Sequence, residues 1–211
     1  MIRFFNGFAK VTGWIVQFFA FRTKIYYENK KVQSRKIKGP AIIISNHTSV
    51  YDYAVFIFVF FWRTLRYQMA EVLYKKKLLA WFLRNMGGIY VNRDTHDFTF
   101  IYKSEEILKE GGIVGVFPES RIPKEDEERP LPFKISAAYL AYLSNVKVIP
   151  IYTNGCYFQK KRARVIIGEP ISIKEIIDPN LEEKENLIKI NEAFRNKIIK
   201  LGKLLDEKQK V

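Results

Sequence analysis

Cysteine and histidine are scarce in this chain. Its 211 residues include one cysteine, Cys156, and two histidines, His47 and His96. A single cysteine cannot close a disulfide within the chain, and neither histidine lies in an H-E-x-x-H or similar ligand array. We therefore predict no metal site, a chain that faces a reducing compartment, and a loop position for His96.

A long hydrophobic run is also missing. The longest uncharged run near the N-terminus, residues 11–21, is much shorter than the roughly 20 apolar residues that span a bilayer. Lys10 interrupts the apolar stretch, and no small-x-small cleavage site follows it, which disfavours a secretory signal. A simple transmembrane anchor is disfavoured for the same reason of length.

The N-terminal segment instead has helical periodicity. Steps of three and four place five apolar residues on one face, and steps of seven form a polar stripe: Phe4, Phe8, Val11, Ile15 and Phe18 against Arg3, Lys10, Gln17 and Lys24. We predict that residues 1–27 form an amphipathic helix lying in a membrane interface, or a helix pair if Gly7 and Gly13 break it. A helix packed into the core is the alternative, because burial gives the same periodicity.

The rest of the chain has the pattern of a single α/β domain. Hydrophobic residues make up 48% of the sequence, and from about residue 39 short apolar runs alternate with helical patterns. We predict that residues 28–211 form a largely parallel central sheet flanked by helices. The predicted strands are 41–45, 67–71, 89–91, 113–117, 147–152 and 162–168, and the predicted helices are 54–62, 78–85, 98–110, 134–143 and 187–205.

The charge of the chain is strongly one-sided. Basic residues outnumber acidic residues by 36 to 22, and the net charge of +14 attracts nucleic acid, anionic lipid or phosphorylated cofactors. The abundance of Phe favours a membrane interface, and no zinc-finger spacing, RNP-like segment or Gly-rich loop supports nucleic-acid binding. We predict membrane lipids as partners and no nucleic acid. The basic clusters 75–77 and 160–164 either hold the membrane or an acidic donor, or are ordinary solvated charge.

Three polar residues follow predicted strands at the points where those strands end. His47 follows strand 41–45, Arg93 follows strand 89–91, and Glu119 follows strand 113–117. Because the carboxyl ends of parallel strands meet at one edge of a sheet, we expect these side chains to share that edge.

His47 and Asp52 form an H-x4-D pair in which the carboxylate can fold back onto one imidazole nitrogen. Such a contact fixes the tautomer and leaves the other nitrogen as a base. The alternative is a histidine at a helix start and a first-turn carboxylate favoured by the helix dipole. No G-x-S-x-G elbow is present and Cys156 has no histidine near it in sequence, so the attacking hydroxyl belongs to a substrate.

Four short sequence motifs, which follow one another in a fixed order, indicate a particular enzyme family. They are NHTSVYD at 46–52, GGIYVNR at 87–93, FPE at 117–119 and VIPI at 148–151. In these blocks the chain resembles the 1-acylglycerol-3-phosphate acyltransferase family. It departs from the family at one point, because Ser120-Arg121-Ile122 stands where the family usually has Gly-Thr-Arg after F-P-E.

The resemblance implies an O-acyltransferase that uses an acyl thioester and no cofactor. It would move a fatty acyl chain from acyl-CoA or acyl-carrier protein to a lysophospholipid, foremost 1-acylglycerol-3-phosphate, giving phosphatidic acid at the cytoplasmic face of the membrane. His47 would be the general base and Asp52 its orienter, and the substrate would be bound by Asn46, Arg93, Glu119, Ser120 and Arg121.

Two further interpretations remain open. One is an acyltransferase that acts on another lysolipid or lipid alcohol, and the other is an inactive lipid-binding membrane protein. The oligomeric state, the acyl-chain length and the choice of donor have no signal in the sequence.

Overall fold

The computed structural model describes residues 1–93, 97–158 and 162–210. Within these residues seven strands form one sheet: β1 Lys24–Tyr27, β2 Ala41–Ser45, β3 Leu65–Ala70, β4 Ile89–Val91, β5 Ile113–Val116, β6 Val148–Thr153 and β7 Arg164–Ile167. Their order is β1-β7-β6-β2-β5-β3-β4. All neighbouring strands are parallel except β6 and β7. The predicted largely parallel sheet is confirmed.

Helices cover both faces of this sheet. They are α1 Ile2–Val16, α2 Asp52–Val59, α3 Lys77–Asn85, α4 Thr99–Lys109, α5 Ser136–Ser144 and α6 Glu183–Lys210, with short helical turns at Gln17–Phe21, Glu71–Tyr74 and Ile173–Glu175. Successive residues of β2 serve opposite faces: Ile43 packs in the cluster that contains α2, while Ile42 and Ile44 pack in the cluster of α4, α5 and α6. This explains why the strand is apolar at almost every position.

The sequence prediction missed β1 and wrongly placed Lys24 in the polar stripe of an N-terminal helix. The helical segment ends at Arg22, whose φ of 49° lies in the left-handed region. Lys24 then begins β1, where its N–H donates to the carbonyl of Ala163 at 2.8 Å. β1 is therefore the outer strand of the sheet, beside β7.

Helix α1 is continuous through Gly7 and Gly13, and the face that packs on the domain includes two polar residues beside Phe5 and Ala9. Asn6 and Lys10 are buried, and the Lys10 amine donates to the carbonyls of Phe61 and Arg63 at 2.9 and 2.8 Å. The predicted apolar face is exposed along its whole length, which rules out the core-packed alternative: Phe4, Phe8, Val11, Ile15 and Phe18. Gly13 allows close approach to α2, because a Cβ there would lie 2.9 Å from the ring of Phe58.

The remaining helix and strand predictions agree with the structure within a few residues. Of the described residues, no helix is both long enough and apolar enough to span a bilayer. His96 and the first two residues of the basic cluster 160–164 lie outside the described part of the chain.

Candidate active site

The catalytic pair predicted from sequence forms a direct contact. His47 lies just after β2 and Asp52 is the first residue of α2, and His47 Nδ1 is 2.8 Å from Asp52 Oδ2. The Asp52 side chain is completely buried, whereas 18% of the His47 side chain is exposed. The carboxylate thus orients the ring and directs Nε2 away from itself, so Nε2 is the nitrogen that can take a proton from a substrate.

Asp52 is held by four further donors. Its Oδ2 accepts the N–H groups of Thr48 and Ser49 at 2.7 and 3.0 Å, and its Oδ1 accepts the hydroxyls of Thr48 and Tyr157 at 2.7 and 2.6 Å. These donors replace the hydrogen bonds to water that the carboxylate loses on burial. Asp52 also lies in the first turn of α2, as the alternative interpretation expects, but His47 precedes the helix and contacts the carboxylate.

Sequence reasoning missed Tyr157, which lies 105 residues after Asp52. It follows β6 in an unremarkable loop, and no motif around it indicates that its hydroxyl returns to the carboxylate. Burial and the negative charge of Asp52 raise the pKa of Tyr157 well above its usual range, so this phenol remains a hydrogen-bond donor.

The imidazole plane is fixed from one side by an aromatic ring. Phe117, directly after β5, stacks on His47 with ring centroids 4.1 Å apart and planes inclined by 13°. Together the stacked ring and the Asp52 contact leave His47 little freedom to rotate.

Glu119 supports the loop that carries His47. Its Oε1 accepts the backbone N–H of His47 at 2.7 Å, and its Oε2 accepts that of Leu131 at 2.8 Å. Burial raises the pKa of this carboxyl, which is only 3% exposed. Glu119 therefore connects the His47 loop to the segment before α5, because each of its carboxylate oxygens accepts a backbone N–H.

Arg93 reaches the same edge of the sheet, as predicted. Its Nε and Nη2 donate to the Glu71 carboxylate at 3.1 and 2.9 Å, and its Nη1 donates to the carbonyl of Ser120 at 3.2 Å. The hydrogen bond from Arg93 lowers the pKa of Glu71 to about 2. The guanidinium is therefore held in a fixed orientation beside the Glu119–Ser120 turn.

Residues 120–122, where the sequence departs from the family pattern, have a well-defined conformation. Ser120 has a φ of 60°, a left-handed conformation at the position where the family pattern has glycine. Arg121 donates through both terminal nitrogens to Glu127 at 2.6 Å, and nearly half of its side chain is exposed. Arg121 thus lies at the site with its charge already paired.

Asn46 takes part in the fold beside the pair. Its amide nitrogen donates to the carbonyl of Thr153 at 2.9 Å, and its amide oxygen accepts the N–H of Thr153 at 2.9 Å. The side chain is buried, so it joins the end of β2 to the end of β6. The contact of Asn46 with substrate stays a prediction.

A cavity of about 950 Å³ opens beside His47. One part of its lining is polar and includes Asn92, Arg93, Ser120, Arg121 and Lys134. The apolar lining comes from α2 and the residues before it, from β3 and the helical turn after it, from α3, β4 and β5, and from the start of α4 and the loop after β5: Val50, Tyr53, Tyr67, Met69, Val72, Leu73, Leu79, Leu83, Val91, Phe98, Phe100, Val116, Phe117 and Ile122. Such a cavity suits an amphiphile that has both a charged head and a hydrocarbon chain, with the imidazole in the cavity wall.

A smaller cavity lies next to the first and shares Asn92 with it. Lys75 and Arg84 contribute positive charge to its lining, together with Glu71. Within the ranges 1–93, 97–158 and 162–210, no group of three or more His, Cys, Asp or Glu side chains is arranged to hold a metal ion.

Comparison with known proteins gives consistent matches. A family model described as Acyltransferase matches residues 24–154. The chain is 28% identical over 148 residues to the 1-acyl-sn-glycerol-3-phosphate acyltransferase of Bacillus subtilis (strain 168), covering 68% of this chain and 71% of that protein. It is 22% identical over 169 residues to the human 1-acyl-sn-glycerol-3-phosphate acyltransferase beta, covering 78% of this chain and 59% of that protein.

A solved structure shares the fold. The crystal structure of the 1-acyl-sn-glycerophosphate acyltransferase PlsC from Thermotoga maritima aligns with a TM-score of 0.64 at 20% identity, over 95% of this chain and 79% of that one.

Proposed function

The chain belongs to the acyltransferase family, and from that membership and its site geometry we propose that it transfers a fatty acyl chain to the free hydroxyl of a lysophospholipid. The acyltransferase membership expected from the four sequence blocks is confirmed, and the relatives at 28% and 22% identity support the narrower 1-acylglycerol-3-phosphate acyltransferase assignment. The observation that carries the proposal is the His47–Asp52 contact of 2.8 Å on the wall of a 950 Å³ cavity with one polar and one apolar part.

His47 acts as the general base in this reaction. Its Nε2 takes the proton of the acceptor hydroxyl as the oxygen attacks the carbonyl carbon of an acyl thioester. The new C–O bond forms, the C–S bond breaks, and the imidazolium returns its proton to the leaving thiolate. Asp52 stabilises the imidazolium in between, and because the nucleophile belongs to the acceptor, no acyl-enzyme forms.

The proposed acceptor is 1-acylglycerol-3-phosphate, and the donor is acyl-CoA or acyl-carrier protein. Arg93 is the first candidate for the acceptor phosphate, because a guanidinium matches phosphate geometry and Glu71 and Ser120 hold this one at the polar part of the cavity. Lys134 and Arg121 line the same part. Glu119 contributes by fixing the His47 loop, and the backbone conformation of Ser120 presents its carbonyl to Arg93.

A lysolipid with a less negative head group is the second candidate acceptor. The observation in its favour is that Arg93 and Arg121 each face a carboxylate, Glu71 and Glu127. A phosphate dianion must share these guanidinium groups with the carboxylates, whereas a zwitterionic head group has less negative charge to accommodate.

The proposed location is the cytoplasmic face of the membrane. The exposed apolar face of α1 supports it, and exposed Leu78 and Trp81 of α3 lie on the helix that α1 contacts through Phe5. Lys75, Lys76 and Lys77 directly precede these residues and suit anionic head groups.

A thiol-release assay tests the proposal. Purified protein is mixed with acyl-CoA or acyl-carrier protein and a panel of lysolipids in detergent micelles, and free thiol and diacyl product are measured. We expect release that requires the lysolipid and is fastest with 1-acylglycerol-3-phosphate. His47→Ala should lose about 10³-fold in kcat or more. A folded His47→Ala protein with the wild-type rate would contradict the base assignment, and no release with any lysolipid would contradict the proposed function.

A further inference from the structure

The Tyr157 hydroxyl lies in a chain of hydrogen bonds that ends at the catalytic pair. A carboxylate accepts, so Tyr157 donates to Asp52 Oδ1 at 2.6 Å. Its oxygen in turn lies 3.0 Å from the Thr153 hydroxyl, which must then donate to it. Thr153 Oγ1 accepts the N–H of Gly155 at 3.3 Å. The carboxylate at one end can only accept and the N–H at the other end can only donate, so the direction of each hydrogen bond between them is fixed.

The tyrosine ring is held as firmly as its hydroxyl. Tyr157 is 6% exposed and packs edge-to-face on Phe21, with ring centroids 5.6 Å apart. Phe21 is itself buried in the turn that follows α1. A phenylalanine at position 157 would fill this apolar niche equally well, so packing does not account for the hydroxyl.

The other titratable groups near His47 and Asp52 do not take the place of the Tyr157 hydroxyl. Glu119 and Tyr67 interact electrostatically with Asp52, and burial is the main cause that raises the pKa of each. Glu119 bonds to backbone N–H groups of His47 and Leu131, and Tyr67 has no hydrogen-bond partner for its hydroxyl in the described structure. Only the hydroxyls of Tyr157 and Thr48 reach Oδ1 among the described residues.

We propose that Tyr157 is a positioning residue for acyl transfer, which fixes the Asp52 carboxylate so that Oδ2 faces His47, and that Thr153 orients the tyrosine hydroxyl. The inference rests on the proposed function, because it assigns Tyr157 a role in the reaction that His47 catalyses. A donor on Oδ1 has two effects. It prevents rotation of the carboxylate, and it withdraws negative charge that would otherwise stabilise the imidazolium.

Both effects predict a particular result for Tyr157→Phe. Without this donor the carboxylate stabilises protonated His47 more strongly, so the acid limb of the kcat/KM profile moves to higher pH by about half a unit. Loss of orientation lowers kcat by about 10-fold, and the KM for the lysolipid changes by less than about 2-fold, because the hydroxyl does not touch substrate. A purely structural role would lower the amount of folded enzyme without moving the pH profile.

The experiment measures kcat and KM from pH 5 to pH 9 by thiol release for the full-length wild type and three variants. Tyr157→Phe removes the donor, Thr153→Val removes the group that orients it, and Tyr152→Phe is the matched control. Tyr152 precedes Thr153 in β6, but its ring packs with α6, on the face of the sheet opposite to α2 and Tyr157. We expect Tyr152→Phe to match the wild type and Thr153→Val to shift the acid limb in the same direction as Tyr157→Phe, by a smaller amount.

The outcomes separate this inference from the function on which it rests. An inactive wild type refutes the proposed function. An active wild type with a Tyr157→Phe profile that coincides with that of Tyr152→Phe refutes the positioning role. If Tyr157→Phe does not fold, Thr153→Val decides, because it leaves the tyrosine ring in place: an unshifted acid limb in that variant overturns the inference.

Discussion

Burial of a carboxylate determines what surrounds His47. Removing Asp52 from water requires compensation, and five hydrogen-bonding groups from residues 47, 48, 49 and 157 supply it. The same groups leave the carboxylate one orientation, in which Oδ2 meets the imidazole. The hydrogen bonds that compensate the burial of Asp52 thus also orient His47.

The variant Asp52→Asn tests how much the orientation of His47 by Asp52 contributes to the rate of acyl transfer. An amide NH₂ cannot accept a hydrogen bond, so in the variant it faces donors, either the imidazole N–H or the backbone N–H groups of Thr48 and Ser49. The imidazole ring also loses the acceptor that fixes its tautomer. We expect kcat to fall by about 10³- to 10⁴-fold with little change in KM. The thiol-release assay measures the rates, with Asp206→Asn on the exposed side of α6 as the control.

Wild-type kcat in a folded Asp52→Asn protein would contradict the orienting role. Circular dichroism on the same samples establishes folding, because the variant leaves up to four donors facing an amide and is expected to lower the melting temperature as well.

Arg93→Lys addresses recognition of the acceptor. Lysine retains the charge but cannot hold the Glu71 carboxylate, the Ser120 carbonyl and a phosphate in one planar arrangement. We expect the KM for 1-acylglycerol-3-phosphate to rise about 10-fold, with kcat changed much less.

The matched comparison is Arg121→Lys. Arg121 is exposed and paired with Glu127, and exposed pairs contribute little, so its KM is expected to change by less than about 3-fold. Equal KM values for Arg93→Lys and the wild type would place the acceptor phosphate elsewhere in the cavity.

At the scale of helices and strands, α1 is unusual because the face that packs on the domain buries two polar residues, Asn6 and Lys10, beside Phe5 and Ala9. Lys10 lies in the contact, and burial lowers its pKa from 10.5 to about 8. The unfolded chain keeps the proton up to about pH 10.5. Between these values the unfolded state binds more protons, so the free energy of unfolding contributed by this group rises with pH. A neutral amine still has two N–H groups for the two carbonyls.

Urea unfolding of the wild type and Lys10→Met at pH 7, 8, 9 and 10 measures this effect. The difference between the two proteins isolates Lys10, because methionine does not titrate. We expect the wild type to gain stability relative to the variant as pH rises through about 8, where the buried amine loses its proton. A difference that stays constant or falls with pH would mean that Lys10 remains charged in the folded protein.

The contrast between β2 and β1 shows what the sequence could predict of the fold. Strand β2 is buried on both faces, so its run of isoleucines is distinctive. β1 is a four-residue outer strand with no fully buried residue, and it lacks such a signal. In α1 the periodicity was correctly recognised, but periodicity does not state which face meets the protein. The deep burial of Asn6 and Lys10 depends on carbonyls more than 50 residues away.

In the candidate site, too, local contacts could be predicted from the sequence and long-range contacts could not. His47 and Asp52 lie five residues apart, so a local pattern was sufficient to find them. Glu119 and Asn46 were also singled out, yet their partners are backbone groups of Leu131 and Thr153 that only the folded chain brings near. The sequence therefore predicted which residues gather at the sheet edge, but not which of them support the others.

The whole molecule is asymmetric about its sheet. The cluster beside α2 also contains Leu83 of α3, and α1 contacts α3, whereas α4, α5 and α6 pack on the other face. Tyr53 of α2 and Leu79 and Leu83 of α3 contribute apolar lining to the cavity, so part of this lining lies on the side of the sheet where α1 packs. A lipid chain that leaves a bilayer under α1 and α3 would approach the cavity from that side.

Two separable forces should hold the protein to such a bilayer. The net charge of +14 attracts anionic head groups and is screened by salt, while the exposed apolar face of α1 is insensitive to salt. We expect flotation with vesicles of anionic and zwitterionic phospholipid to fall by about 10-fold between 50 mM and 500 mM salt and then to level off at the apolar contribution.

A triple variant distinguishes these forces. Phe4→Ser, Phe8→Ser and Ile15→Ser together should remove the binding that persists at high salt while leaving the melting temperature unchanged, because all three side chains face away from the domain. The matched control replaces the same positions with leucine and should bind as the wild type does. If the serine variant keeps its binding at 500 mM salt, the apolar face of α1 does not contact the bilayer, and another exposed surface, such as Leu78 and Trp81 of α3, must supply that contribution.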